Sequence, residues 1–317
     1  MAFRELKGFL RETFLDAKIE QLQRVYRRAQ KDLARKLKVL EEAGRLSDFQ
    51  RNRLNALLIQ INQEVNNLNQ LSRSWVKRTI PQAYMYGVDI SEERLRALGV
   101  TKYVNFDARI HRSAIAVLID DVTVDLVAAN VALKKNLTRF IRMTQQKVLE
   151  DAQISKLIAQ GAIQGETRRE ISGRILEEFK KRVGEERMIT INGRNYTPDY
   201  YSRLVARSRY SEAANQANVN TALQYGLDLV QVSVHSGSCP ICNPYQGKIY
   251  SISGNDPDFP PLETRPPYHP NCRHQLLPIT KESLEDRGLL KQSIRFSNET
   301  NQPGVKNFRE FEEHLHA

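Results

Sequence analysis

The sequence predicts a mainly α protein, with long helices in the N-terminal part followed by a small α+β C-terminal domain built around a Cys/His knuckle. Three observations lead there. Apolar residues recur every three or four positions through most of the first half. An Asn-Gly dipeptide stands between two extended pieces at 188–196. All three cysteines fall between residues 239 and 272.

The first stripe is Ile19, Leu22, Tyr26, Ala29, Leu33, Leu37 and Leu40, and the second is Leu54, Leu57, Leu58, Ile61, Val65, Leu68, Leu71 and Trp75. Each marks one face of a helix. Between them Gly44 suits a C′ position and Ser47 an N-cap, so the two helices should pair as an antiparallel hairpin. Pro81 is expected to break the second helix. A third stripe, Ile115, Leu118, Val122, Leu126, Ala129, Leu133, Leu137 and Phe140, has an approximately 11-residue period and runs almost straight along a helix. That helix is expected to reach as far as Ala159, to stop at Gly161 and Gly165, and to be followed by a short helix from Arg168 to about Lys181. Asn192-Gly193 predicts a tight hairpin. Thr197 and Pro198 then open a helix that runs to about Tyr225, with Gly226 past its end. Its many small residues predict close packing on a neighbour. Leu229 to Val234 reads as a strand. Residues 253–271 are Pro-rich and irregular, and the segment after Glu282 reads as a loosely held polar tail. The expected organisation is a basic helical hairpin region (1–100), a long-helix region (101–185), the α+β Cys/His domain (186–282) and the tail (283–317).

The 317 residues carry 48 Lys+Arg against 37 Asp+Glu, a net charge of +11, with pI about 9.5. Residues 1–80 hold 17 basic and 9 acidic residues, a net +8 of that total. A basic region suits a polyanion such as nucleic acid, and it also suits a solvated helix face. Mean hydropathy is −0.53, and no apolar run approaches the roughly 18 residues of a membrane span. The charged start is unlike a secretory signal. Three cysteines do not make a disulfide scaffold and fit a reducing compartment.

Cys239-Pro-Ile-Cys242, followed after 26 residues by His269-Pro-Asn-Cys272, has the spacing of a Cys3His zinc site. Two short knuckles bring two ligands each, and four ligands close a structural tetrahedron. Cys239, Cys242, His269 and Cys272 are the candidate metal ligands, with His274 or His235 as substitutes for His269. Free or buried thiols and a Cys239–Cys242 disulfide are the other readings. A zinc deaminase would need His-x-Glu ahead of Pro-Cys-x-x-Cys, and no Glu follows His235. A metal-dependent DNA nuclease built on His269, Asn271 and His274 is the enzyme alternative. Walker A, dinucleotide and Gly-x-Ser-x-Gly motifs are absent. A lone histidine such as His111 reads as a packing or surface residue.

The run from Arg203 through Arg207, Cys239-Pro-Ile-Cys242, Tyr245-Gln-Gly-Lys-Ile-Tyr250 and Pro267-Tyr-His-Pro-Asn-Cys-Arg-His274 resembles the phage minor head proteins, of the phage Mu F-like head-morphogenesis (minor capsid) type. Trp75 to Gly87 is similar to the helical half of Gram-positive phage minor capsid proteins. The resemblance implies a non-enzymatic protein of the phage head interior near the portal, present in the host cytoplasm during assembly. Its implied partners are the portal protein, capsid or scaffolding proteins and packaged double-stranded DNA, in procapsid assembly or DNA delivery.

Overall fold

The computed structural model describes residues 2–37, 48–100, 108–147, 189–191, 194–237, 239–299 and a few positions beyond. Helices α1 (Ala2–Leu37), α2 (Asp48–Ala97) and α3 (Arg109–Lys147) precede the hairpin β1 (Ile189–Ile191) and β2 (Arg194–Tyr196). Helix α4 (Pro198–Gln224) leads into β3 (Leu229–Val232), β4 (Ile249–Ser251) and β5 (Leu276–Pro278), and α5 (Lys281–Glu285) and α6 (Leu290–Asn298) follow. The mainly α class with a small C-terminal α+β part is as the sequence predicts. Gly44, Ser47, Gly161, Gly165 and the short helix expected at 168–181 lie outside the described residues. The chain divides into two compact units, Met1–Trp75 with Thr123–Arg203, and Val76–Val122 with Leu204–Ala317.

In the first unit the apolar stripes are the core. Leu33 of α1, Leu57, Ile61 and Val65 of α2, and Ala129, Leu133 and Leu137 of α3 form one buried cluster. α1 and α2 run antiparallel: Trp75 Nε1 donates to the Lys18 carbonyl at 2.9 Å, while Leu33 meets residues ten and more positions earlier in α2. Between these points the Ser72 hydroxyl lies 3.4 Å from Tyr26 Oη. Leu71, expected inside, is 43% exposed, because Ser72 takes the inward position between Leu68 and Trp75. β1 pairs with β2 antiparallel in the register Ile191↔Arg194; the expected Asn192-Gly193 turn lies outside the described residues.

In the second unit α2 does not end at Pro81; the helix continues through it to Ala97. A proline there removes one hydrogen bond and crowds the preceding turn. The buried Val76, Ile80, Ala83, Tyr84, Val88 and Leu95 on either side offset that cost. The small-residue stretch of α4 packs closely, as its composition predicts. A Cβ at Gly87 would collide with the Ala214 carbonyl oxygen and stand 2.7 Å from Ala217 Cβ. Polar contacts flank that approach. Asn220 Nδ2 donates to Tyr84 Oη at 2.7 Å, Tyr84 Oη meets His111 Nδ1 at 2.9 Å, and His111 Nε2 donates to Gln224 Oε1 at 2.8 Å. Ser91 Oγ donates to Asn218 Oδ1 at 2.9 Å. His111 is thus a buried packing residue. α4 ends at Gly226, whose φ of +75° is the left-handed conformation expected after a helix.

The three-stranded sheet has the order β4-β3-β5, antiparallel throughout. Val219 and Ala222 of α4 cover Val230, Val232 and Leu276. The segment after Glu282 is not a loose tail over 283–299. Leu284 joins Leu229, Ile249, Phe259 and Ile279 in a buried cluster, and Phe296 packs edge-on against Phe311. Charged residues dilute these apolar positions in the sequence, so composition hides the amphipathic face of α6.

The close approach at Gly87 has a measurable consequence. Gly87→Ala should destabilise the protein by about 1–3 kcal/mol and Gly87→Val by more, because neither side of the helix crossing can give way without shifting backbone. Urea unfolding followed by circular dichroism tests this, and a Gly87→Val variant as stable as wild type would show that the helices do not approach this closely.

Candidate metal centre

Strand topology places both knuckles at one end of the sheet. β3 leaves the sheet after Val232, and the first knuckle, Cys239–Cys242, lies in the loop that returns as β4. The second knuckle, His269–Cys272, lies four residues before β5, which enters the sheet opposite Val232. Side chains tie that end together. Gln246, fully buried, accepts from the His235 N–H at 2.6 Å. Ser233 Oγ accepts from the Gln275 N–H at 2.9 Å. Asn215 of α4 clamps the strand that follows the second knuckle: its Oδ1 accepts from the Leu276 N–H at 2.8 Å and its Nδ2 donates to the His274 carbonyl at 3.2 Å.

Each knuckle is a tight turn. The Cys242 N–H donates to the Cys239 carbonyl at 2.9 Å, and the Cys272 N–H donates to the His269 carbonyl at 3.0 Å. In the second, Pro270 and Asn271 take the two central positions, and Asn271 has φ +69°. Pro followed by a residue that tolerates positive φ is the pairing of a type II turn. Asn271 is therefore occupied by backbone geometry, and its side chain is exposed.

The donor atoms converge. Two groups each keep their ligand atoms within 4.8 Å of one another: Cys239, Cys242 and His269, and Cys242, Cys272 and His274. Cys242 is common to both. Its Sγ lies 3.8 Å from Cys272 Sγ and 3.1 Å from His269 Nε2. His269 Nε2 is 3.2 Å from Cys239 Sγ, and Cys272 Sγ is 3.5 Å from His274 Nδ1. Tetrahedral zinc with ordinary Zn–S and Zn–N bonds has S···S edges of about 3.8 Å and S···N edges of about 3.5 Å. The Cys242–Cys272 edge matches, and each group offers three donors to one ion; Cys272 stands outside the group of Cys239, Cys242 and His269. His269 Nδ1 lies 2.7 Å from the Pro270 carbonyl, which places its proton there and leaves the Nε2 lone pair for a metal. A cleft of about 490 Å³ lined by Arg209, Gln216, Arg265, Pro267 and His269 reaches this histidine from solvent.

Electrostatics separate the thiols. Burial opposes ionisation of Cys239, but the N–H groups of Cys242 and Ile241 outweigh it and hold this thiol below the ordinary value. Burial, with Cys272 beside it, pushes the Cys242 thiol up. His274 is pushed down to about 4 by burial and then by His235 and His269, and is neutral near pH 7. Without a cation, three adjacent thiolates repel one another; a divalent ion supplies the charge that ionises them.

Of the four sequence-predicted ligands, Cys239, Cys242 and His269 fall in one group and Cys272 in the other, with Cys242 shared; the cysteines are free thiols, without a Cys239–Cys242 disulfide. His274 joins it through Cys272. His235 lies outside both groups; its Nε2 meets Ser233 Oγ at 2.8 Å and its ring packs edge-on against His274. His269 and His274, paired in the nuclease alternative, fall into different groups. The sequence reading missed Asn215 and Ser233, and gave Gln246 no role beyond its place in the Tyr245–Tyr250 motif. Only the position of an Asn in a helix of small residues hints at the first.

The thiol asymmetry predicts ordered alkylation of the metal-free protein. At pH 7.5 iodoacetamide should modify Cys239 at least tenfold faster than Cys242, because Cys239 has more thiolate and is accessible. Peptide mass spectrometry with time reads this directly, and equal rates would contradict the described environments.

The family model for phage minor capsid protein 2 matches residues 10–286. No curated protein and no solved structure matches the chain. The family match takes in the helical N-terminal half and the whole Cys/His region, the two parts that carry the resemblance in the sequence. The chain belongs to the phage minor capsid protein 2 family, structural proteins of the virion that act with other head proteins in phage head assembly.

Proposed function

We propose that this minor capsid protein works inside the phage head at the portal vertex, where it contacts the portal protein, capsid or scaffolding proteins and packaged double-stranded DNA during procapsid assembly or DNA delivery. It acts in the host cytoplasm while heads form, and it acts as a structural protein rather than an enzyme. Family membership over most of the chain is the observation that carries this reading, and the +11 net charge supports the contact with DNA. No helix among the described residues is long and apolar enough to cross a membrane.

The Cys/His cluster serves this role as a structural zinc site with Cys239, Cys242, His269 and Cys272 as ligands. His269 is preferred over His274 because its Nε2 touches two thiols, Cys239 and Cys242, whereas His274 Nδ1 touches one. His274 then stands behind Cys272 as a neutral N–H donor to its sulfur, the usual place of a supporting partner. Four protein ligands leave no open position for a reacting water, so the ion would cross-link the sheet end.

Two measurements test the reading. Metal analysis of purified protein should find one zinc per chain in wild type and none in Cys239→Ser, with loss of protease resistance in the C-terminal region, because metal binding and folding are coupled. Wild type that is folded and free of metal would remove the zinc assignment. Co-expression with the portal protein encoded by the same phage should give a complex on size-exclusion chromatography; separate elution would remove the portal contact.

A further inference from the structure

One charged face of the first unit differs from the rest. On α1, Arg24, Arg28, Lys31 and Arg35 are all exposed. Their spacing of four, three and four residues puts them within a sector of about 60° and along about 16 Å of helix. Arg27 flanks the row, its side chain 51% exposed and 3.5 Å from Asp199. Asp32 is the one acidic residue between Arg24 and Arg35. It pairs with Arg35, whose side chain remains 76% exposed, and such a solvated pair exchanges readily for another anion. The opposite face of the helix is core: Ile19, Leu22, Tyr26, Ala29 and Leu33 are buried.

Solubility does not require this row. On α2, in the same unit, the run of exposed residues Gln60, Gln63, Asn66, Asn67 and Gln70 is uncharged, and Arg73 is the exposed cation that follows it. Like charges three and four residues apart work against a helix. A row of them on one face of α1 is therefore retained against a local cost, and that cost is recovered when a polyanion neutralises it. A straight row of cations matches a regular row of phosphates, which in duplex DNA recur every 3.4 Å along each strand. It matches an acidic loop of irregular shape less well.

We propose that the exposed face of α1 formed by Arg24, Arg28, Lys31 and Arg35 is the surface that meets double-stranded DNA, through its phosphates and independently of base sequence. This inference rests on the reading that the chain binds DNA and assigns that binding to one helix face. The contacts are to backbone, so different sequences bind alike and salt competes strongly.

The test compares binding of the full chain to a fluorescent random-sequence duplex across a salt series. The α1 variant is R24Q/R28Q/K31Q/R35Q. The control, R265Q/R287Q/K291Q/R309Q, removes the same charge from exposed positions of the other unit. The α1 variant should bind at least tenfold more weakly at about 0.1 M salt. Its slope of log K against log salt should fall by about 3 to 4, near 0.9 for each phosphate no longer neutralised. The control should stay within about twofold of wild type. Equally weakened binding in both variants would overturn the assignment to α1 and leave the DNA-binding reading standing. Absence of wild-type binding at about 0.05 M salt would overturn the DNA-binding reading as well. Glutamine is a good helix former, and circular dichroism checks that helicity is kept. If the fourfold variant does not fold, R28E/K31E replaces it, and wild-type affinity in that variant would overturn the proposal.

Discussion

The Cys/His end of the chain depends on the pairing of β3 with a strand on each side. β3 has four residues and its partners three each. So small a sheet is marginal by itself. Helix α4 makes it a platform: Val219 and Ala222 cover the sheet's buried face, and Asn215 holds the backbone on either side of Gln275. Given that pairing, the rest of the site follows from antiparallel geometry. The chain must leave and re-enter at one end, and both knuckles lie where it does so. Segments far apart in sequence come within a few ångströms because the strands between them fold back, not because either knuckle seeks the other.

Much of this was legible in the sequence. Apolar residues at helical spacing mark α1, α2 and α3, and most stripe residues whose burial is described are buried, Leu71 being the exception on the exposed side. Asn192-Gly193 marks the hairpin, and Thr197-Pro198 and Gly226 bound α4. Cysteine spacing brings out the candidate ligands, since a knuckle is a local turn with a local signature. What could not be read depends on contacts between distant segments. Pro81 is a helix breaker by local rule, yet packing on both sides carries α2 through it. Asn215 and Gln246 look like ordinary polar residues until their partners, far away in sequence, are in place. The partners of Leu284 on α5 and of Leu290, Ile294 and Phe296 on α6 become visible only in the folded chain.

Charge has different work in the two regions. At the Cys/His cluster the problem is too much negative charge in too little water. Burial and the neighbouring sulfur both disfavour ionisation of Cys242, whereas turn N–H groups favour that of Cys239. A cation held there would supply the charge that ionises these thiols. On α1 the sign is reversed: the helix gathers positive charge on its solvated side and packs its apolar side away. The two regions thus concentrate opposite demands on charge, one at buried thiols and one at a solvated helix face.

The crossing of α2 over α4 behaves like a keyed joint. Tyr84, Gly87 and Ser91 lie on one face of α2, and each has a different counterpart on α4: the Asn220 amide, the bare backbone at Ala214 and the Asn218 carbonyl oxygen. A purely apolar seam could slide by one turn at little cost. Here a slide would part Tyr84 from Asn220 and Ser91 from Asn218, and drive a side chain into the place that only a hydrogen atom fits. The three pairings form together or break together, so the joint has one seated position and no partly seated ones.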